Sequence, residues 1–184
     1  MPSPSKLTSR QKKILDALAP DEALEFLRKL AREDPALAAR VERMVGARLE
    51  KVDCEKIAKE VLGTLEAIDV HDVWDNAGST SYGYVEPNEL AVQMFEEAME
   101  PCQEEMKRYH TLKLSEQARE YCKGILKGIH LFSTISTSEY KNWADDAPGE
   151  TFRFILDEWK KTARVSDAKD MDEFVMRECA DWRG

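Results

Sequence analysis

This chain is predicted to fold as an all-α protein, with about eight helices in an irregular, superhelix-like stack of antiparallel helical hairpins. Three observations carry that expectation. Apolar residues recur every three or four positions through most of the 184 residues, the pattern of helices that each bury one face. Helix starts are marked by Asp34-Pro35 and Pro87, and helix ends by short polar breaks. No segment alternates apolar and polar residues as a half-buried strand does; Tyr82–Val85 is extended in character but finds no partner in the sequence.

Taken in order, Thr8 or Ser9 caps a first helix carrying Ile14, Leu15 and Leu18. Pro20 opens a second, with Asp21 and Glu22 at the positive end of its dipole and Leu24, Leu27 and Leu30 on one face. Asp34-Pro35 starts a third, faced by Leu37, Val41, Met44 and Val45. Asp53 caps a fourth, along which Ile57, Val61, Leu65 and Ile68 recur at helical spacing. A polar break then runs from Asp69 to Pro87. Beyond it, Leu90, Phe95, Met99, Cys102, Met106 and Tyr109 line a long helix whose other face is rich in Glu. Pro101 lies inside that helix and cannot donate to the Glu97 carbonyl, so a kink or a break is expected there. The partner helix starts near Ser115. Its Gly124 and Gly128 each cost about 1 kcal/mol of helix propensity, which close approach by a neighbouring helix would offset. Ser133–Ser138 reads as loop and Glu139–Trp143 as a short helical turn. Phe152, Ile155 and Trp159, then Met171, Phe174, Val175, Cys179 and Trp182, mark the last two helices. The expected organisation is a disordered tail over 1–7, a helical group over 8–68, a connecting loop over 69–87, and a second group over 88–184 packed on the first as one domain.

Composition excludes several function classes. A formal net charge of −9 argues against direct nucleic-acid binding and against anionic membrane surfaces, both of which need concentrated Lys and Arg. No apolar run approaches the roughly 20 residues of a membrane span, and the N-terminus has no secretory pattern, so a cytoplasmic location is expected. Cys54, Cys102, Cys122 and Cys179 are widely spaced without a CxxC, which reads as free thiols rather than a disulfide framework or a zinc site.

Motifs for chemistry are few. His71-Asp72 invites comparison with HD-type metal phosphohydrolases, but no His precedes it to complete a ligand set. No nucleophile elbow, phosphate loop or dinucleotide fingerprint is present, so no catalytic residue, metal ligand or cofactor is assigned. The acidic run from Glu86 to Glu105 is either a solvated helix face or a surface that attracts a basic partner.

A resemblance rests on the segments GYVEPNELAVQMFEEAMEPCQEEMKRYHTLKLSEQAREYCKGILKGIHLF and NWADDAPGETFRFILDEW. They resemble a helical region in uncharacterised bacterial and archaeal proteins, some of which carry it alongside a SWIM-type zinc finger. The matching points are Val85, Pro87, Glu100-Pro101, Glu120-Tyr121-Cys122, Gly124-Ile125-Leu126, Gly128 and Trp143-Ala144, and the likeness covers about Gly83–Trp159. The CxC and CxH of the finger are absent here, so its zinc and its supposed nucleic-acid binding do not carry over. The resemblance implies a helical scaffold and transfers no catalytic residue.

The function expected on this basis is a non-enzymatic scaffold that binds an unidentified protein partner. The anchors would be Trp74, Tyr82 and Tyr84, with Asp72 and Asp75 beside them, because aromatic rings dominate interface energetics. Two alternatives remain open. One is a small-ligand or hydrolase-like site beneath 69–87, using Asp72, Asp75 and His71. The other is an adaptor of a nucleic-acid-associated system.

Overall fold

Each helix begins where a side chain or a proline deals with its unpaired N–H groups. The computed structural model describes residues 7–49, 51–80 and 83–182. The tail expected over 1–7 lies almost wholly outside them, as does Tyr82. The described residues hold nine α-helices, two 3-10 turns and one small hairpin, so the all-α expectation stands. Among them, no helix is long and apolar enough to cross a membrane.

The chain divides into two compact units, Met1–Glu50 and Lys51–Gly184. The division expected from the sequence has its boundaries at 68 and 87. In the first unit, Thr8 and Gln11 form a reciprocal capping box on α1 (Ser9–Asp16). Pro20 occupies the first turn of α2 (Pro20–Glu33). Asp34 Oδ1 accepts from the Ala36 and Leu37 amides at 2.8 and 3.2 Å and opens α3 (Pro35–Leu49), which packs on α2. Leu24, Leu27 and Leu30 do lie on one helix face, but no residue of α1 or α2 is buried.

The second unit is built on the pairing of α4 (Cys54–Glu66) with α7 (Ser115–Ile135). Asp53 caps α4 by accepting from the Glu55 and Lys56 amides. Ala58, Val61 and Leu65 are its buried face. Gly124 and Gly128 are the contact points on α7. A Cβ on Gly124 would meet Ile57 Cβ at 2.6 Å and the Cys54 carbonyl at 2.9 Å; one on Gly128 would meet Val61 Cβ at 2.6 Å and the Ala58 carbonyl at 2.8 Å. Close approach, expected from the glycine spacing, is therefore what these two residues permit.

Helix α6 (Pro87–Thr111) runs unbroken through Pro101, an exposed position. The expected break into two segments does not occur. One missing backbone bond on a wet face is a small loss beside the burial of Phe95, Met99, Met106 and Tyr109 on the other. α6 turns into α7 through Lys113, at φ 58, with the Leu114 amide reaching back to the Tyr109 carbonyl at 3.0 Å. α7 continues through Ser133 and Thr134, where a loop was expected; the Thr134 hydroxyl donates to the His130 carbonyl at 2.8 Å and so stays within the helix.

A 3-10 turn at Glu139–Asn142 buries Tyr140, whose hydroxyl donates to the Ala91 carbonyl of α6. Helix α8 (Ala147–Lys160) and helix α9 (Val165–Glu178) complete the unit. Trp182 lies beyond α9 in a second 3-10 turn rather than on its stripe, edge-on to Phe152 at 5.0 Å. One face of α7 carries a ladder of ion pairs to α9. Arg119 meets Asp167 at 3.2 Å, Lys123 meets Asp170 at 2.7 Å, and Lys127 meets Glu178 at 3.1 Å and Glu55 of α4 at 2.6 Å. Because both sets of numbers rise together, α7 and α9 run in the same direction. Such partly solvated pairs each contribute on the order of 0–1 kcal/mol and flank the buried face of α9 formed by Met171, Phe174 and Val175.

Candidate interaction surfaces

The segment 69–87, expected as a connecting loop, is mostly regular structure. Asp69 accepts from the His71 amide at 2.9 Å and caps a seven-residue helix, α5 (Val70–Asn76), held down by buried Val73. Gly78, at φ 100, then turns the chain into β1 (Gly78–Thr80), which pairs antiparallel with β2 (Gly83–Val85). The pairs Gly78↔Val85, Ser79↔Tyr84 and Thr80↔Gly83 supply the partner strand that the sequence hides, because a Gly-Ser-Thr strand has no apolar pattern.

The five expected anchor residues fare differently. Trp74 is 50 % exposed and stands edge-on to Trp143, with ring centroids 4.5 Å apart at 78°. Asp72 and Asp75 are exposed on α5, as is His71. Tyr84 is placed by its backbone in β2, and Tyr82 lies outside the described residues. Trp74 thus holds α5 to the turn before α8 with one edge while leaving much of the ring in solvent. Trp74→Ala should keep the fold and cost about 1 kcal/mol, the worth of a partly exposed aromatic pair. Urea denaturation checks this; a loss above about 3 kcal/mol would make the ring a core residue.

A second surface lies between α6 and α8, and the sequence pointed to only half of it. α6 turns Ala91, Phe95 and Met99 inward and Glu96, Glu97 and Glu100 outward. α8 buries Phe152, Ile155 and Trp159 but leaves Phe154 52 % exposed. The two helices border a cleft of about 500 Å³. Val92, Ala147, Thr151 and Phe154 give it an apolar lining, and Glu96, Glu97, Glu100 and Glu150 an acidic one. A second cleft of about 290 Å³ continues from it, sharing Gln103 and Phe154 and ending at His110 and Thr162. Together they form one groove along both helices.

The charged side chains lining the first cleft are all acidic, whereas the second is lined by both Lys107 and Glu158. Further along α6, Glu104 pairs with Lys107 at 2.7 Å and Glu105 with Arg108 at 3.2 Å. Glu158 pairs with Lys161 at the groove's far end. Among the described residues, Glu96, Glu97, Glu100 and Glu150 take part in no ion pair. At the other end, Thr162 Oγ1 lies 3.2 Å from the Trp159 carbonyl and 3.0 Å from His110 Nδ1. The Thr162 hydroxyl donates either to that carbonyl, with His110 Nδ1–H donating to the hydroxyl oxygen, or to His110 Nδ1 itself. In either arrangement His110 Nε2 is buried and has no hydrogen-bond partner among the described residues. Burial holds the imidazole pKa below its usual value, so the ring adds no charge at neutral pH.

The cysteines are poor nucleophiles. Burial pushes the Cys54 thiol up to about 11 and the Cys179 thiol up to about 12, so the reactive thiolate is scarce. Among the described residues, no group of three or more His, Cys, Asp or Glu is placed to hold a metal ion.

Sequence reasoning missed Phe154 and the His110–Thr162 end. A signal for Phe154 was present: an aromatic one residue off the stripe of Phe152, Ile155 and Trp159. The pairing of α6 with α8 had none, since it brings together segments some fifty residues apart. No protein-family model matches the chain, and neither a curated protein nor a solved structure does.

Proposed function

We propose that this chain is a non-enzymatic helical scaffold whose role is to hold a protein partner, and that the α6–α8 groove is the surface that holds it. The observation that carries the reading is an exposed Phe154 set in an apolar lining and flanked by four carboxylates without counter-ions. Interface anchors are aromatic residues in partly formed pockets with a polar surround. The resemblance over Gly83–Trp159 points the same way, since it implies a scaffold. Of the anchors expected from the sequence, Trp74 is 50 % exposed and spends part of its ring on the intramolecular contact with Trp143.

The test is selection of random 16-residue peptides displayed on phage against the full chain, with counter-selection on Phe154→Glu. The expected result is a set of clones that bind the native chain and lose at least ten-fold in affinity on the variant. No enrichment, or clones that bind both proteins equally, would remove the groove as a protein-binding site.

A further inference from the structure

The lining of the groove advances together on its two walls. It passes from Val92 to Thr111 along α6 while passing from Ala147 along α8 to Thr162 in the turn just beyond it. The two helices therefore run side by side in the same direction, and the stretch they share spans about 22 Å, at 1.5 Å per residue. That length matches a helix of about 15 residues, or four turns. Shape also selects a helix over an extended peptide. Both walls are helices whose backbone groups are bonded internally, so the groove offers no ladder of donors and acceptors to an extended chain. A ligand that satisfies its own backbone bonds, and seats its side-chain ridges between those of α6 and α8, meets the groove without leaving polar groups unpaired.

Charge selects the rest. Glu96, Glu97, Glu100 and Glu150 line one end without counter-ions, and the C-terminal, negative ends of α6 and α8 lie at the other. Lys107, which lines the groove, pairs with Glu104 at 2.7 Å, and Lys161 beyond it pairs with Glu158. His110 Nε2 is a buried ring nitrogen with no hydrogen-bond partner among the described residues. Nucleic acid and anionic lipid would be repelled by the carboxylates at the Glu96–Glu150 end.

We propose that the α6–α8 groove docks a cationic amphipathic helix of about four turns from a protein partner, its apolar face on Phe154 and its Lys or Arg side chains over Glu96, Glu97, Glu100 and Glu150. This deepens the scaffold reading and rests on it. Desolvated charge pairs across such a groove set register and on-rate, while the apolar face supplies most of the affinity.

The experiment measures fluorescence anisotropy of a labelled 16-residue Leu/Lys peptide with apolar residues at i, i+3, i+4 and i+7, titrated with the full chain. A peptide of the same composition in scrambled order is the shape control. Two neutralised variants are compared: Glu96→Gln with Glu97→Gln and Glu100→Gln in the groove, and Glu66→Gln with Glu116→Gln and Asp181→Asn outside it. All six are exposed side chains outside the described ion pairs, and far-UV circular dichroism confirms that both variants fold. The groove variant is expected to bind at least ten-fold more weakly than the native chain and the outside variant within two-fold of it. The scrambled peptide should bind at least ten-fold more weakly as well. Equal loss in both variants, or equal binding of the scrambled peptide, would reduce the effect to net charge and overturn the proposal. Phage clones that depend on Phe154 but are not cationic would overturn it too, and would leave the scaffold reading standing. A dimer of the native chain in sedimentation that Phe154→Glu abolishes would make a second copy the occupant and likewise overturn it.

Discussion

Gly128→Ala is expected to destabilise the second unit by about 2 kcal/mol, the reverse of what helix propensity alone dictates. In a helix interior, Gly to Ala gains about 1 kcal/mol. Here the added methyl would sit 2.6 Å from Val61 Cβ and 2.8 Å from the Ala58 carbonyl. Neither atom is the far end of a flexible side chain: one is a branch point and the other is backbone. Room can be made only by moving α4 as a body away from α7, which opens the interface that buries Ala58, Val61 and Leu65. Overpacking of this kind costs about 1–3 kcal/mol, and more where backbone must shift. Gly124→Ala meets Ile57 and the Cys54 carbonyl in the same way and should cost a similar amount. One displacement of α4 relieves both clashes, so the double variant should lose less than the sum of the singles. Gly63, on α4 itself, is the control. Nothing lies within 4 Å of a Cβ there, and Gly63→Ala should stabilise by about 0.5–1 kcal/mol. Urea denaturation of the four variants beside the native chain reads all of this. A gain for Gly128→Ala matching that of Gly63→Ala would mean that α4 and α7 are not in close contact.

The same glycines show what was legible in the sequence. Their spacing on an otherwise good helix is a local signal with one economical cause, and the structure supplies it in α4. The starts at Asp34-Pro35, Asp53 and Pro87 were legible because capping and proline placement act within four residues. What failed was whatever depends on a partner distant in sequence. Gly78–Thr80 has no strand character until Gly83–Val85 lies beside it. Pro101 is a helix breaker by local rules, yet it sits in the middle of a helix whose buried face is long enough to override it. Leu24, Leu27 and Leu30 form the stripe expected of a core helix and are not buried, since an amphipathic pattern states what a helix can cover and not whether it does. The groove divides along the same line. Its acidic wall is a run in one helix and could be read directly, whereas its apolar lining required knowing that α8 lies beside α6.

Phe132→Ala should cost about 3–5 kcal/mol, the usual range for deleting a fully buried phenylalanine, and its effect should reach the groove. The ring is fully buried on α7, 6.0 Å from Phe95 of α6 and 6.4 Å from Tyr140, centroid to centroid. It therefore holds three segments at once: α7, α6 and the 3-10 turn before α8. Tyr140 in turn reaches α6 through its hydrogen bond to the Ala91 carbonyl. That carbonyl still has its helical donor, so Tyr140→Phe alone should cost only about 0.5–1.5 kcal/mol. In a Phe132→Ala background the tyrosine ring is no longer pinned and the same change should cost less, giving a measurable coupling in a double-mutant cycle. α6 carries Ala91 and Phe95 on its inner face and Val92 and Glu96, each the next residue, on the groove. Loosening the inner face frees the groove wall, and a peptide seated on Phe154 should bind Phe132→Ala several-fold more weakly at temperatures where the variant remains folded. Denaturation and anisotropy measured on one preparation separate the two effects. A stability loss below about 1.5 kcal/mol would mean that the three segments are held by something other than this ring, and full stability loss with unchanged peptide affinity would mean that the groove does not depend on the core behind it.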